Sequence, residues 1–174
     1  MNEAIGLINF SSYIPASRKL ILFLLATTCS IGVFAQKPAW VPVAELLLGS
    51  MGNADAHMMT EVMNRCTALN MTLSGLTATE SPNVSKGYEN QALHLIQNGI
   101  LIELNSEKEL TGIEPDIDRL SDVAVESVKS MLSIYNQWLN DNYDDAGSYF
   151  NNDFEIEMKG CELAVKLVLQ MSSG

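Results

Sequence analysis

The chain has 174 residues, with 21 acidic and 10 basic side chains and a net charge of −11. Such an excess argues against nucleic acid and anionic membrane surfaces as partners, because like charges repel and no basic patch is present to release counterions. If the partner is a macromolecule, its expected character is basic.

After the first 19 residues comes a run of 16 largely apolar residues from Leu20 to Ala35, preceded directly by Arg18 and Lys19 and followed by Gln36, Lys37 and Pro38. A charged region, an apolar run too short for the ~20 residues of a membrane-spanning helix, and small residues Val33 and Ala35 at its end form the pattern of a secretory signal. Cleavage after Ala35 is expected, which makes residues 1–35 a leader and 36–174 a single helical domain. Two alternatives are an uncleaved anchor and a lipoprotein modified at Cys29. The second is disfavoured because Thr28 stands where a small Gly or Ala is usual and the apolar run continues past the cysteine. The leader carries Glu3, Arg18 and Lys19, so its loss makes the remainder one unit more acidic, at −12.

Residues Lys37 to Gly52 read as an extended lead with a short helix around VAELLLG. Four longer segments then show helical periodicity. The first starts at Asp55, an expected N-cap, and places Met59, Val62, Cys66, Leu69, Leu73 and Leu76 on one face. TATESPNVSKG, with Pro82 and Gly87, is predicted to separate it from the second. That one carries Tyr88, Ala92, Leu95, Gly99 and Ile102. Gly99 costs roughly 1 kcal/mol against Ala within a helix, so it points to close approach of a neighbour. A strand through GILIEL is the alternative, but no second convincing strand exists to pair with it. The third segment opens at Pro115 and Asp116 and carries Ile117, Leu120, Ala124, Val128, Met131, Tyr135 and Trp138. After DNYDDAGSYFNND, predicted as a loop, the fourth carries Phe154, Met158, Cys161, Val165 and Val168. The expected fold is all-α, an up-down-up-down four-helix bundle.

Outside the leader only Cys66 and Cys161 remain, an even pair in an oxidising compartment. If the first and last helices are antiparallel neighbours, both cysteines lie at the same height on apolar stripes, which predicts a disulfide between them. Two free buried thiols are the alternative.

The stretch MGNADAHMMTEVM concentrates Met51, His57, Met58, Met59 and Met63, the candidate donors for copper or for a haem held between helices. Met59, however, lies on the apolar stripe, where methionine fills gaps, and His94 is isolated. No metal or cofactor is therefore expected. The acidic loop fails the calcium-loop pattern, since Ala146 occupies a ligand position and Asp153 replaces the bidentate Glu. Catalytic signatures are lacking as well. There is no G-x-S-x-G, no phosphate-binding glycine loop, and Glu155 and Glu157 are two residues apart and do not share a helix face. Asn70 and Asn83 match glycosylation acceptors, relevant only in a eukaryote, and Asn70 falls inside a helix. The expectation is a non-enzymatic exported module of the bacterial periplasm, inhibitor-like or immunity-like, that binds a basic protein or peptide. A small copper- or haem-binding bundle is the alternative.

Overall fold

The computed structural model describes residues 41–53 and 55–172, and the expectations for the leader lie outside them. Among the described residues there are five helices and no strand: α1 (Val43–Asn53), α2 (Ala56–Thr77), α3 (Pro82–Thr111), α4 (Ile117–Ala146) and α5 (Asn152–Ser172). None of them is long and apolar enough to cross a membrane.

Local chemistry explains most of the boundaries. Asp55 caps α2, its Oδ1 accepting the Met58 N–H at 3.0 Å, and Asp116 Oδ1 accepts the N–H groups of Asp118 and Arg119 at the start of α4. Asn151 does the same for α5, accepting the Phe154 N–H at 2.9 Å. Each cap satisfies donors that the first helical turn leaves unpaired. Gly112 and Gly147 end α3 and α4 at φ 69° and 67°, a left-handed conformation that favours glycine.

Two boundaries differ from the expectation. Pro82 starts α3 instead of keeping the chain out of a helix, because at the first helical position its missing N–H costs nothing. Gly87 and Asn83 are therefore helical. At the other end, α4 runs on through Asp141–Ala146, so most of the predicted acidic loop is helix and the connection shrinks to residues 147–151. GILIEL is helical within α3, and the short helix around VAELLLG extends to Asn53.

The helices are not equal partners. Nine consecutive residues of α2, Val62 to Asn70, are buried, and this helix packs against all four others. Of its predicted stripe, Val62, Cys66, Leu69 and Leu73 are buried, but Leu76 is exposed. A helix enclosed on every side must also bury its polar residues. Thr67, Asn70 and Thr72 do so by donating to carbonyls one turn back, those of Met63, Cys66 and Ala68, at 2.8, 2.8 and 3.0 Å. Helices α2 and α3 are antiparallel: Ser74 meets Ser85, Thr67 meets Ala92, and Thr60 meets Glu103. Gly99 fits this packing, because a Cβ there would stand 3.0 Å from Met63 Cβ.

The predicted disulfide is present. Cys66 and Cys161 join α2 to α5 with Cα atoms 5.2 Å apart, both buried, and the bond spans 95 residues of sequence. A cross-link over so long a loop stabilises by roughly 4 to 5 kcal/mol on the chain-entropy model. The Cys66→Ala/Cys161→Ala chain should therefore unfold at markedly lower urea than the oxidised protein, and the reduced wild type should follow it; equal midpoints would exclude a stabilising cross-link.

Candidate functional site

The most unusual chemistry lies where α1, α2, α4 and α5 meet. Arg65 belongs to the enclosed part of α2, and its side chain has no solvent exposure. A guanidinium in that position needs a carboxylate. Glu157 of α5, itself buried, supplies one, with Arg65 Nη2 2.5 Å from its Oε1. Tyr135 of α4 donates its hydroxyl to the same oxygen at 2.6 Å. The other carboxylate oxygen accepts the backbone N–H of Val43 at 3.1 Å. Val43 is the first residue of α1, so Glu157 caps that helix from 114 positions away in the chain. Its negative charge also sits favourably at a helix N-terminus.

Arg65 holds the same end of α1 from the other side, since Nη1 donates to the Val41 carbonyl at 2.7 Å. Half-exposed Glu61, one turn earlier on α2, lies 3.9 Å from that nitrogen. Close packing completes the junction. A Cβ on Gly160 would come within 2.8 Å of the Ala44 nitrogen, so only glycine lets α5 approach the first turn of α1. Tyr135 also packs in an aromatic group with Trp138 and Phe154, at centroid separations of 6.3 Å to each. Burial, then the negative charge of Glu157 and the hydrogen bond to it, push the Tyr135 hydroxyl well above its ordinary range.

This cluster escaped the sequence reading, although its signals were present. Glu157 lies three residues after Phe154 and four before Cys161, a core position, and Arg65 stands between Val62 and Leu69 in the same way. The actual inner face of α5 is Phe154, Glu157, Gly160, Cys161, Ala164 and Val168. The expected stripe used Met158 and Val165, which are only partly buried. Hydropathy favoured the two larger apolar residues, whereas Arg65 requires Glu157 and the approach of α1 requires glycine at 160. Both oxygens of Glu157 are engaged by donors from the fold, so the cluster locks these elements together.

The candidate metal donors face different neighbours. His57 is exposed, with Nδ1 3.5 Å from Glu103 Oε1 on α3. Met58 packs beside Gly49 of α1, and Met59 Sδ accepts from Ser50 Oγ at 3.8 Å. Met63 is buried against Gly99 of α3, and Met51 is exposed. Among the described residues, no group of three or more His, Cys, Asp or Glu is placed to hold a metal ion. A crevice of about 40 Å³, lined by Leu69, Leu73, Tyr88, Met158, Cys161 and Val165 among others, lies beside the disulfide. That is room for water, far below the ~300 Å³ at the lower end of small-molecule sites.

Two outcomes follow from the buried cluster. Arg65→Met leaves Glu157 charged and without its cation, which should cost about 3 to 5 kcal/mol in urea unfolding. Arg65→Met/Glu157→Gln should recover about 2 kcal/mol of that, because a neutral amide still accepts from Tyr135 and Val43; a purely additive double variant would dissolve the pairing. The Tyr135 effect has the opposite pH sense to a carboxylate. Below the ordinary tyrosine value of about 10 its contribution is complete. Above it the unfolded chain ionises while the native one resists, so stability falls by on the order of 1 kcal/mol per pH unit. Tyr135→Phe should lose this alkaline component in urea titrations at about pH 8 and pH 11.

Comparison with protein-family models, with curated proteins and with solved structures finds no match to the chain, so its site is read from its own geometry.

Proposed function

We propose that this protein is an exported, non-enzymatic helical module of the bacterial periplasm that binds a basic protein or peptide, in the manner of an inhibitor or immunity protein. In this reading residues 1–35 are a cleaved leader, and α2 to α5 run up, down, up, down as a four-helix bundle with α1 laid on it.

The observation that carries the reading is the partition of charge. The groups with the most reactive potential, Arg65, Glu157 and Tyr135, are spent inside the fold on one another and on the backbone of α1. The remaining acidic residues heavily outnumber the basic ones. A rigid body of that kind attracts cationic partners over a distance set by the salt concentration. The disulfide fits the same picture, as a link suited to an oxidising compartment.

The test is capture from the host's envelope extract with the protein beginning at Gln36, cross-linked at about 50 mM and about 500 mM salt, a range over which screening of exposed charges rises steeply. One dominant basic protein, recovered at low salt, lost at high salt and rebinding when purified, is the expected result. Failure to recover any specific partner at low salt would remove the proposal.

A further inference from the structure

Helix α4 ends in a way that helix stability alone does not favour. Its last two turns carry Asp141, Asp144 and Asp145, although the C-terminus of a helix already bears partial negative charge and is stabilised by cations. No lysine, arginine or histidine occurs between Lys129 and Lys159 in the sequence. The Asp141 carboxyl is held above its ordinary range by burial and then by the charges of Asp145 and Asp144. Where a sequence departs from a local rule without structural gain, function is the usual reason.

A second feature coincides with this one. Three aromatic side chains around the α4–α5 turn are left open to solvent: Tyr143 at 49 %, Tyr149 at 39 % and Phe150 at 44 % exposure. Tyr143 and Tyr149 stack at 4.6 Å, and Phe150 leans on Phe154 at 5.5 Å. The turn that presents them is fixed in advance. Asn142 Nδ2 donates to the Tyr149 carbonyl at 3.0 Å, Asn151 Nδ2 donates to Asn142 Oδ1 at 2.7 Å, and Gly147 N–H donates to the Tyr143 carbonyl at 2.8 Å. A preorganised surface loses little entropy on binding, and exposed aromatics are the side chains that most often dominate interfaces.

We propose that this aromatic turn, rimmed by Asp141, Asp144, Asp145 and Glu155, is the docking surface for a segment of a partner protein in which lysines or arginines flank apolar side chains. Charge complementarity selects that occupant: the cations meet the carboxylates and the negative end of α4, and they lie over tyrosine faces that attract them. The assignment rests on the binding-module reading above and adds the place and the chemistry of recognition.

The probe is a fluorescein-labelled octapeptide of five arginines and three leucines, titrated by anisotropy at about 50 mM salt, with a glutamate-for-arginine peptide as control. Wild type should bind the basic peptide alone. Tyr149→Ser/Phe150→Ser should weaken it by about tenfold or more, the scale of losing an interface anchor. Leu110→Ser/Ile113→Ser, at the α3–α4 turn, where the apolar side chains are still more exposed but Lys108 and Arg119 pair with Glu114 and Glu107, should change it by less than about twofold. If the aromatic variant unfolds, Asp144→Asn/Asp145→Asn replaces it, with an expected loss of roughly threefold to tenfold. Equal effects at the two turns, or none at either, would mean diffuse charge attraction and overturn the proposal. So would absence of peptide binding, displacement by about 1 mM calcium beyond an ionic-strength control, or a dimer that the aromatic variant abolishes. A partner captured from envelope extract separates the two levels. Capture that survives the aromatic variant overturns this surface and leaves the binding module standing, whereas no capture by wild type removes the module itself.

Discussion

A guanidinium in the middle of a helix that is enclosed on all sides has to be met by a buried carboxylate, and here another element delivers it. Arg65 imposes that condition on this fold. Its answer, Glu157, ties α5 to α2 directly, α4 through the Tyr135 hydroxyl and α1 through the Val43 N–H, so four of the five described helices are referenced to one side chain. Buried ion pairs contribute little net stability, because desolvation consumes most of the Coulomb gain. What the pair contributes here is a single acceptable arrangement, since every other one strands a charge in the core.

The covalent link reinforces the same crossing. Cys66 follows Arg65, and Cys161 lies one helical turn beyond Glu157, so disulfide and ion pair hold α2 and α5 at the same level. Gly160 lies between those two α5 residues and admits the first turn of α1. A charge, a bond and a missing side chain thus act within one turn of α5. This concentration explains how α1, only 11 residues long, is held in a defined position.

The helices were legible in the sequence because their signals are local. Asp55 acts as the cap its residue type predicts, Gly99 marks a close approach, and the two cysteines on apolar stripes pair, whereas Asp116, expected in the first turn, is the cap just before it. Departures arose where one residue type has two meanings. Proline separates helices or begins one, and at Pro82 it begins one. An acidic stretch reads as loop, yet Asp141 to Asp145 continue α4 because nothing before Gly147 stops it. The central cluster was illegible for a different reason. A hydropathy stripe treats Arg65 and Glu157 as errors, and only three-dimensional proximity shows that each cancels the other's cost. His57, Met58, Met59 and Met63 show the converse, since neighbours in sequence diverge when successive helix positions point to different partners.

The distance in sequence between Arg65 and Glu157 also bears on the order of assembly. The hairpin of α2 and α3 can begin to pair from local contacts, but the buried carboxylate that meets its central arginine comes from a residue 92 positions later. Contacts of such separation form late, because the intervening loop must be closed first. Docking of α5 is therefore what lets the core around Arg65 close. A chain without α5 in place lacks the buried partner of Arg65 at the point where its core closes.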